Sequence, residues 1–312
     1  MSTRYKVFFD NIKNGGVAIL DGGVATELES RGVPMKDGSW SGLASIYAWE
    51  TLIETHRAFI DSGSNIITAN TYASSRLMLG ATGDSDHVRN VNLKSLEAAQ
   101  IAREQSGCND VLIAGSISHA LPYTEGAVGA TQQPNISNET LRTAYDEMVA
   151  IHEVGGADFI LLEMLSLPAR MKPLLESAKK SSLPTWSGLS AKQKTQNSPI
   201  TAWHDQNVLF SKNVEMVSRY DFDVLGIMHT TAELISIIIP ELKRKHKGPI
   251  MVYPDSGFFK APNWQFENVM SPLEFRHLSE GWLDQGVQVI GGCCGLGADH
   301  IQAISGLRSQ VQ

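Results

Sequence analysis

Apolar residues in this chain recur in short blocks, each followed by a turn and then, usually, by a stretch with helical spacing. Eight blocks read as buried strands, at 17–20, 65–69, 111–114, 159–162, 185–189, 224–228, 250–253 and 287–290. Between the first two, residues 50–62 set Leu52, Ile53, Phe59 and Ile60 on one helical face, with His56 inside that stripe and Gly63 as the stop. The pattern returns at 91–105 and at 141–154, the latter ending on Gly155-Gly156. Ser271-Pro272-Leu273-Glu274 is a capping box with proline at the first helical position, which predicts a helix to about Gln285 with Gly286 beyond it.

Parallel strands need helical crossovers, so eight such alternations predict one (β/α)8 TIM barrel, a single domain over residues 1–312. A doubly wound sheet would usually show a glycine-rich nucleotide turn after its first strand. Asp21-Gly22-Gly23-Val24-Ala25 does not have that spacing. The longest unassigned stretches, 30–45, 119–137 and 191–208, all follow strands, which in a barrel puts them at the C-terminal face where catalytic loops lie.

Composition narrows the function classes. A net charge of -7 argues against nucleic acid or an anionic membrane as partner. The first fourteen residues are charged and lack the apolar core of a secretory signal, and no apolar run reaches the ~18 residues needed to span a bilayer. Three cysteines, two of them adjacent, are not a disulfide framework, so a cytoplasmic location is expected. A homo-oligomer is compatible with the chain, but no helix face is distinctive enough to nominate an interface.

The adjacent pair lies in Gly291-Gly292-Cys293-Cys294-Gly295, straight after the last strand. Neighbouring cysteines make a strained disulfide, whereas two thiolates suit a soft metal. Two other readings stand beside that one: buried cysteines that only fill space, and a glycine turn whose N–H groups cradle a phosphate. In a barrel the residues just past each strand converge, here Asp21; Asn70, Thr71 and Tyr72; Ser116; Glu163; His229; Asp255; and Cys293 with Cys294. His229, Cys293 and Cys294 would make a three-ligand zinc site with one open position, the arrangement of catalytic zinc. Asp21 could instead cap its glycine turn, Glu163 could pair with a buried base, and His229 could merely start the next helix. Cys108 reads as structural, and His56 and His152 as packing residues. His119 and His204, in long strand-end loops, are left undecided.

These residues lie in segments through which the chain resembles the homocysteine S-methyltransferase family over nearly its whole length. The segments are Leu20-Asp21-Gly22-Gly23 with Thr26-Glu27, Ala69-Asn70-Thr71-Tyr72, Gly115-Ser116, Leu162-Glu163, Tyr253-Pro254-Asp255-Ser256-Gly257, and Gly291-Gly292-Cys293-Cys294-Gly295 with His300-Ile301. The resemblance is to a divergent member of the betaine- or S-methylmethionine-using type. It implies a Zn2+-dependent barrel that methylates homocysteine to methionine. Cys293 and Cys294 would ligate the metal, and Asp21 and Glu163 would hold the amino-acid ammonium. Asn70 and Ser116 join the expected substrate-binding set. Trp40 and Tyr72 match aromatics that surround the donor in the betaine branch; a cationic donor suits aromatic faces, although ordinary packing explains such residues too.

The chain departs from the family where Gly-x-Asn-Cys normally supplies a third thiolate, and here reads Gly226-Ile227-Met228-His229. Met164 stands for a usual threonine and Ala298 for a common proline. Imidazole is a sound replacement ligand, but it is neutral, so the substrate sulfur should be a weaker nucleophile. That implies a more reactive sulfonium donor, or a changed metal or acceptor. The expected activity is methyl transfer from a cationic small-molecule donor to a thiol. The alternatives are a metal-free lyase or aldolase-type barrel with an anion at the last glycine turn, and a non-catalytic zinc or thiol binder.

Overall fold

The structure, a computed structural model, describes residues 2–36, 38–120, 122 and 136–308. Eight parallel strands form the central sheet: β1 (Ala18–Ile19), β2 (Ile66–Thr68), β3 (Leu112–Ser118), β4 (Phe159–Leu165), β5 (Thr185–Leu189), β6 (Val224–Met228), β7 (Ile250–Tyr253) and β8 (Val289–Ile290). Each pairs with its neighbour in sequence, and β8 pairs back onto β1 with Val289 opposite Ala18. The seam between β1 and β2 is closed by a parallel bridge from Leu20 to Ile66. There the Asn65 N–H donates to the Ile19 carbonyl at 2.9 Å, and the Asn65 side-chain oxygen accepts from the Ile19 N–H at 2.7 Å. One polar side chain thus completes a ladder that the two residues of β1 are too few to make. The expected (β/α)8 barrel is present.

Strand boundaries differ from the sequence reading where the chemistry begins. β3 runs on to Ser118 and β4 to Leu165, so Ser116 and Glu163 stand inside strands, not beyond them. The β4–β5 register shifts between Leu162 and Leu165, and Met164 takes a φ of 59°. A left-handed conformation costs a non-glycine residue roughly 1–2 kcal/mol. In a regular strand consecutive side chains face opposite ways; this bulge lets both Glu163 and Met164 line the same pocket.

The expected helices are found at Trp49–Asp61, Val88–Ser106 and Asn138–Val154. The capping box is formed as read: the Ser271 hydroxyl accepts from the Glu274 N–H, and the Glu274 carboxylate accepts from the Ser271 N–H at 2.7 Å, opening Pro272–Asp284. The stretch 191–208 carries a hairpin, Ala191–Gln193 against Ile200–Ala202, and a second hairpin, Phe258–Lys260 against Asn263–Gln265, follows β7. Most of 119–137 lies outside the described residues. No described helix is long and apolar enough to cross a membrane.

A helix ahead of the first strand is among those the sequence reading did not name. Thr3–Lys13 buries Tyr5, Phe8 and Ile12, a readable helical spacing interrupted by charged residues. It covers the N-terminal ends of β4 to β6. The Tyr5 hydroxyl donates to Asp223 at 2.6 Å and accepts from the Trp186 indole N–H at 2.7 Å, and its ring packs against Phe159. Replacing Tyr5 by Phe would strand two polar groups at the barrel floor. Urea unfolding should show a loss of about 1–3 kcal/mol, and no loss would mean that the helix is not anchored through this hydroxyl.

Candidate functional site

A pocket opens at the C-terminal ends of the strands, and it gathers Asp21, Trp40, Asn70, Tyr72, Glu163, His229, Cys293 and Cys294 from six separate stretches of chain. The thiols are placed by the glycine turn after β8. Gly295 has a φ of 82°, and a Cβ there would stand 1.9 Å from the Ser256 carbonyl oxygen, so only glycine lets this turn rest on the loop after β7. The turn's amides are spent within the protein. Gly291, Gly292, Cys293 and Gly295 donate to Val252, Asp21 and Pro254 carbonyls and to the Thr26 hydroxyl respectively. That removes the N–H nest on which a phosphate-binding reading depended.

His229, one residue past β6, also takes a left-handed φ, 42°, before the next helix begins at Ala232. It therefore does not open that helix; it turns into the pocket. Its Nδ1 lies 3.8 Å from Cys293 Sγ, which lies 3.9 Å from Cys294 Sγ, and all three donor atoms fall within 4.8 Å of one another. Tetrahedral zinc with ordinary bond lengths places two sulfurs about 3.8 Å apart and sulfur and nitrogen about 3.6 Å apart. The side chains present therefore fit such an ion. The Cys294 thiol beside it, and then burial, push Cys293 well above the ordinary thiol range, a penalty that a divalent cation would lift. Burial opposes a charged His229, but Asp255, with Oδ2 3.5 Å from Nδ1, and the Cys293 sulfur outweigh it and hold the imidazole above its usual value.

Two buried carboxylates face the same space. Burial pushes Asp21 up to about 8, although the Thr68 N–H and hydroxyl donate to it at 2.6 and 2.9 Å. Burial likewise raises Glu163 to about 7, with the Ser116 hydroxyl donating to it and the Tyr253 hydroxyl beside it. Among the described residues neither acid is paired with a lysine or arginine, so the buried ion-pair reading of Glu163 does not describe it. Two such groups in one pocket can accept hydrogen bonds from a cationic ligand.

Aromatic rings line the mouth: Trp40 meets Tyr72 edge-on at 6.4 Å and Phe259 at 5.8 Å, and Phe259 meets Trp264 at 6.5 Å. Other expected residues stand one layer back. Ser116 does not line the pocket and instead orients Glu163, while Thr71 bonds the Ser116 carbonyl and lies 3.1 Å from His152. Asn70 lines the pocket, but its side chain is used on Ser41, donating to its carbonyl at 2.8 Å and accepting from its hydroxyl at 3.0 Å. His119 and His204 both line the pocket, with rings 5.4 Å apart. Trp203, Phe259 and Trp264 escaped the sequence reading, since hairpins inserted after β5 and β7 carry them in. An aromatic beside a long strand-end loop was the only signal.

Known proteins resemble this chain over nearly its whole length. Homocysteine S-methyltransferase 3 of Arabidopsis thaliana is 27% identical over 94% of this chain and 90% of its own length. Selenocysteine Se-methyltransferase of Brassica oleracea var. italica is 26% identical over 94% and 89%. The crystal structure of the homocysteine methyltransferase MmuM from Escherichia coli, metallated form, superposes with a TM-score of 0.76 at 22% identity, covering 98% of this chain and all of that one, and supports the barrel. The profile described as Homocysteine S-methyltransferase matches residues 18–307, and this chain belongs to that methyltransferase family.

Proposed function

We propose that the protein, one (β/α)8 domain over residues 1–312, is a zinc-dependent S-methyltransferase. It moves a methyl group from a cationic donor (S-methylmethionine, another sulfonium, or betaine) to the thiol of homocysteine, giving methionine. The observation that carries this reading is one pocket holding both a His229–Cys293–Cys294 donor triangle and two buried acids without a resident cation. Homocysteine carries one thiol and one ammonium, the two groups those features recognise. A pocket that also takes a selenol would suit the activity named for the Brassica relative.

His229, Cys293 and Cys294 would hold zinc, which supplies Lewis acidity that favours the thiolate form of an incoming thiol at neutral pH. Asp21 and Glu163 accept hydrogen bonds from the substrate ammonium, and Thr68 and Ser116 keep those carboxylates aimed. With the ammonium fixed at one end, the sulfur is left only a short arc to explore. Trp40, Tyr72 and Phe259 present ring faces and edges to the donor cation and keep water from the path. As the sulfur–carbon bond forms, the donor's carbon–heteroatom bond breaks, its electron pair stays on the heteroatom, and that atom loses its positive charge. Rate acceleration then comes chiefly from orientation and desolvation.

Elemental analysis of protein purified without chelator should find about one zinc per chain, lost in His229→Ala. A metal-free wild type would sink the thiol-activation mechanism. The raised carboxylates predict a second effect. Asp21 titrates near 3.8 when unfolded and about 8 when folded, and so the folded state holds an extra proton between those values. Stability of the substrate-free protein should fall as pH rises through that window, and homocysteine should restore it. Asp21→Asn should flatten the profile while raising KM for homocysteine about 10- to 100-fold, the loss of a charge-assisted hydrogen bond. A variant with an unchanged KM would show that Asp21 does not bind the ammonium.

A further inference from the structure

The pocket that holds Asp21 and Glu163 is also lined by His119, Arg170 and His204, basic residues that the proposed transfer leaves without a task. His119 follows β3 directly and is 1% exposed. Its Nε2 accepts from the backbone N–H groups of Ser166 at 3.0 Å and Leu167 at 3.3 Å, so the proton of the neutral ring lies on Nδ1. Burial holds the ring in that neutral form, with its pKa lowered to about 4. Among the described residues Nδ1 has no hydrogen-bond partner, and leaving a buried donor unmade is unfavourable. Ser166 ties the second histidine to the same loop: its hydroxyl meets His204 Nδ1, and the two imidazole rings lie 5.4 Å apart. Arg170, also buried, comes from the helix that this loop opens. Among the described residues the ionisable groups acting on His204 are His119, His229, Lys192 and Arg170, every one of them basic. This wall of the pocket therefore carries a fixed donor without an acceptor and a positive potential, the counterpart of the acids deeper in.

We propose that His119 is a specificity-determining residue whose Nδ1–H, with the Arg170 guanidinium, receives the carboxylate of a zwitterionic methyl donor; this deepens the methyl-transfer reading above and rests on it. The height of the wall favours the donor over the acceptor. Ser118 pairs with Glu163 across β3 and β4, so His119 stands one residue farther toward the mouth than the acid that takes the acceptor's ammonium. The Ser118 hydroxyl donates to the Tyr72 carbonyl at 2.9 Å, which sets the wall beside one of the aromatics assigned to the donor cation. Asp21 and Glu163 oppose a carboxylate elsewhere in the pocket, whereas here it meets an N–H donor and a cation. An onium group against Trp40 and Tyr72 and a carboxylate on His119 and Arg170 hold the donor at two points, and two points fix where its methyl faces. The carboxylate keeps its charge while the methyl moves, so the contact selects and orients the donor and takes no part in bond making. A donor whose carboxylate is esterified loses the charge that this wall recognises.

The test compares kcat/KM for methyl transfer to homocysteine from S-methylmethionine and from betaine with that from the methyl ester of each. For whichever donor the wild type uses, the free acid should be preferred over its ester about 10- to 100-fold, a ratio that needs no variant. His119→Gln keeps an acceptor for the Ser166 and Leu167 N–H groups but has no Nδ1–H, and it should narrow that ratio about 10-fold by raising KM for the acid. Arg170→Met should narrow it as well, and Arg170→Lys, which keeps the charge, should restore most of it. KM for homocysteine should not follow these changes. Equal use of acid and ester by the wild type, or variants that slow both donors alike, would overturn the inference while leaving methyl transfer in place. A KM change confined to homocysteine would give the wall to the acceptor and overturn it too. A wild type that methylates no thiol from any of these donors would overturn the methyl-transfer reading, and the inference with it.

Discussion

The seam between β1 and β2 is the contact on which both the barrel and its site depend. β1 contributes two residues to the ladder, and closure relies on the Leu20–Ile66 bridge and on the Asn65 side chain. Immediately beyond that seam Asp21 leaves β1 while Thr68 ends β2, and Thr68 holds the Asp21 carboxylate with two hydrogen bonds. The Asp21 carbonyl in turn accepts from Gly292, and a Cβ on Gly23 would stand 2.7 Å from the Cys293 carbonyl. Barrel closure, the placement of Asp21 and the seating of the thiol turn are therefore one continuous set of contacts. A change that loosened the seam would be felt at Cys293 and Cys294.

That continuity lets the site keep groups that a folded chain would otherwise avoid. Two carboxylates are buried without a lysine or arginine partner among the described residues, two thiols sit side by side, and Trp40, Met164 and His229 all take left-handed backbone conformations. Each is unfavourable alone; the proposed reactants carry an ammonium that would relieve the acids and a divalent cation that would relieve the thiols. The strain lies around the pocket, at the β4 bulge, just past β6 and in the loop after β1.

Much of this architecture was legible in the linear chain because periodicity is a local property. Eight apolar blocks alternating with helical stripes are enough to require parallel strands and crossovers, and thus to bring strand ends to one face. From that rule alone Asp21, Glu163, His229, Cys293 and Cys294 could be drawn together, and all of them line the pocket. The helix at Thr3–Lys13 had the same kind of signal, in Tyr5, Phe8 and Ile12, but charged neighbours diluted it.

Tertiary structure decided what depends on direction and distance. Ser116 and Asn70 fall at the right places in the chain, yet their side chains are used on Glu163 and Ser41, which no spacing rule reveals. The β4 bulge that turns two consecutive residues into the pocket, and the hairpins that add Trp203, Phe259 and Trp264, arise from contacts between segments far apart in sequence. The 3.5 Å between Asp255 and His229 belongs to the same class. The sequence by itself determined which chemical groups would stand at the barrel mouth, because strand order is set by local pattern and chain connectivity. Only the folded chain decided which of those groups touch, because hydrogen bonds and charge pairs act over a few ångströms that packing alone fixes.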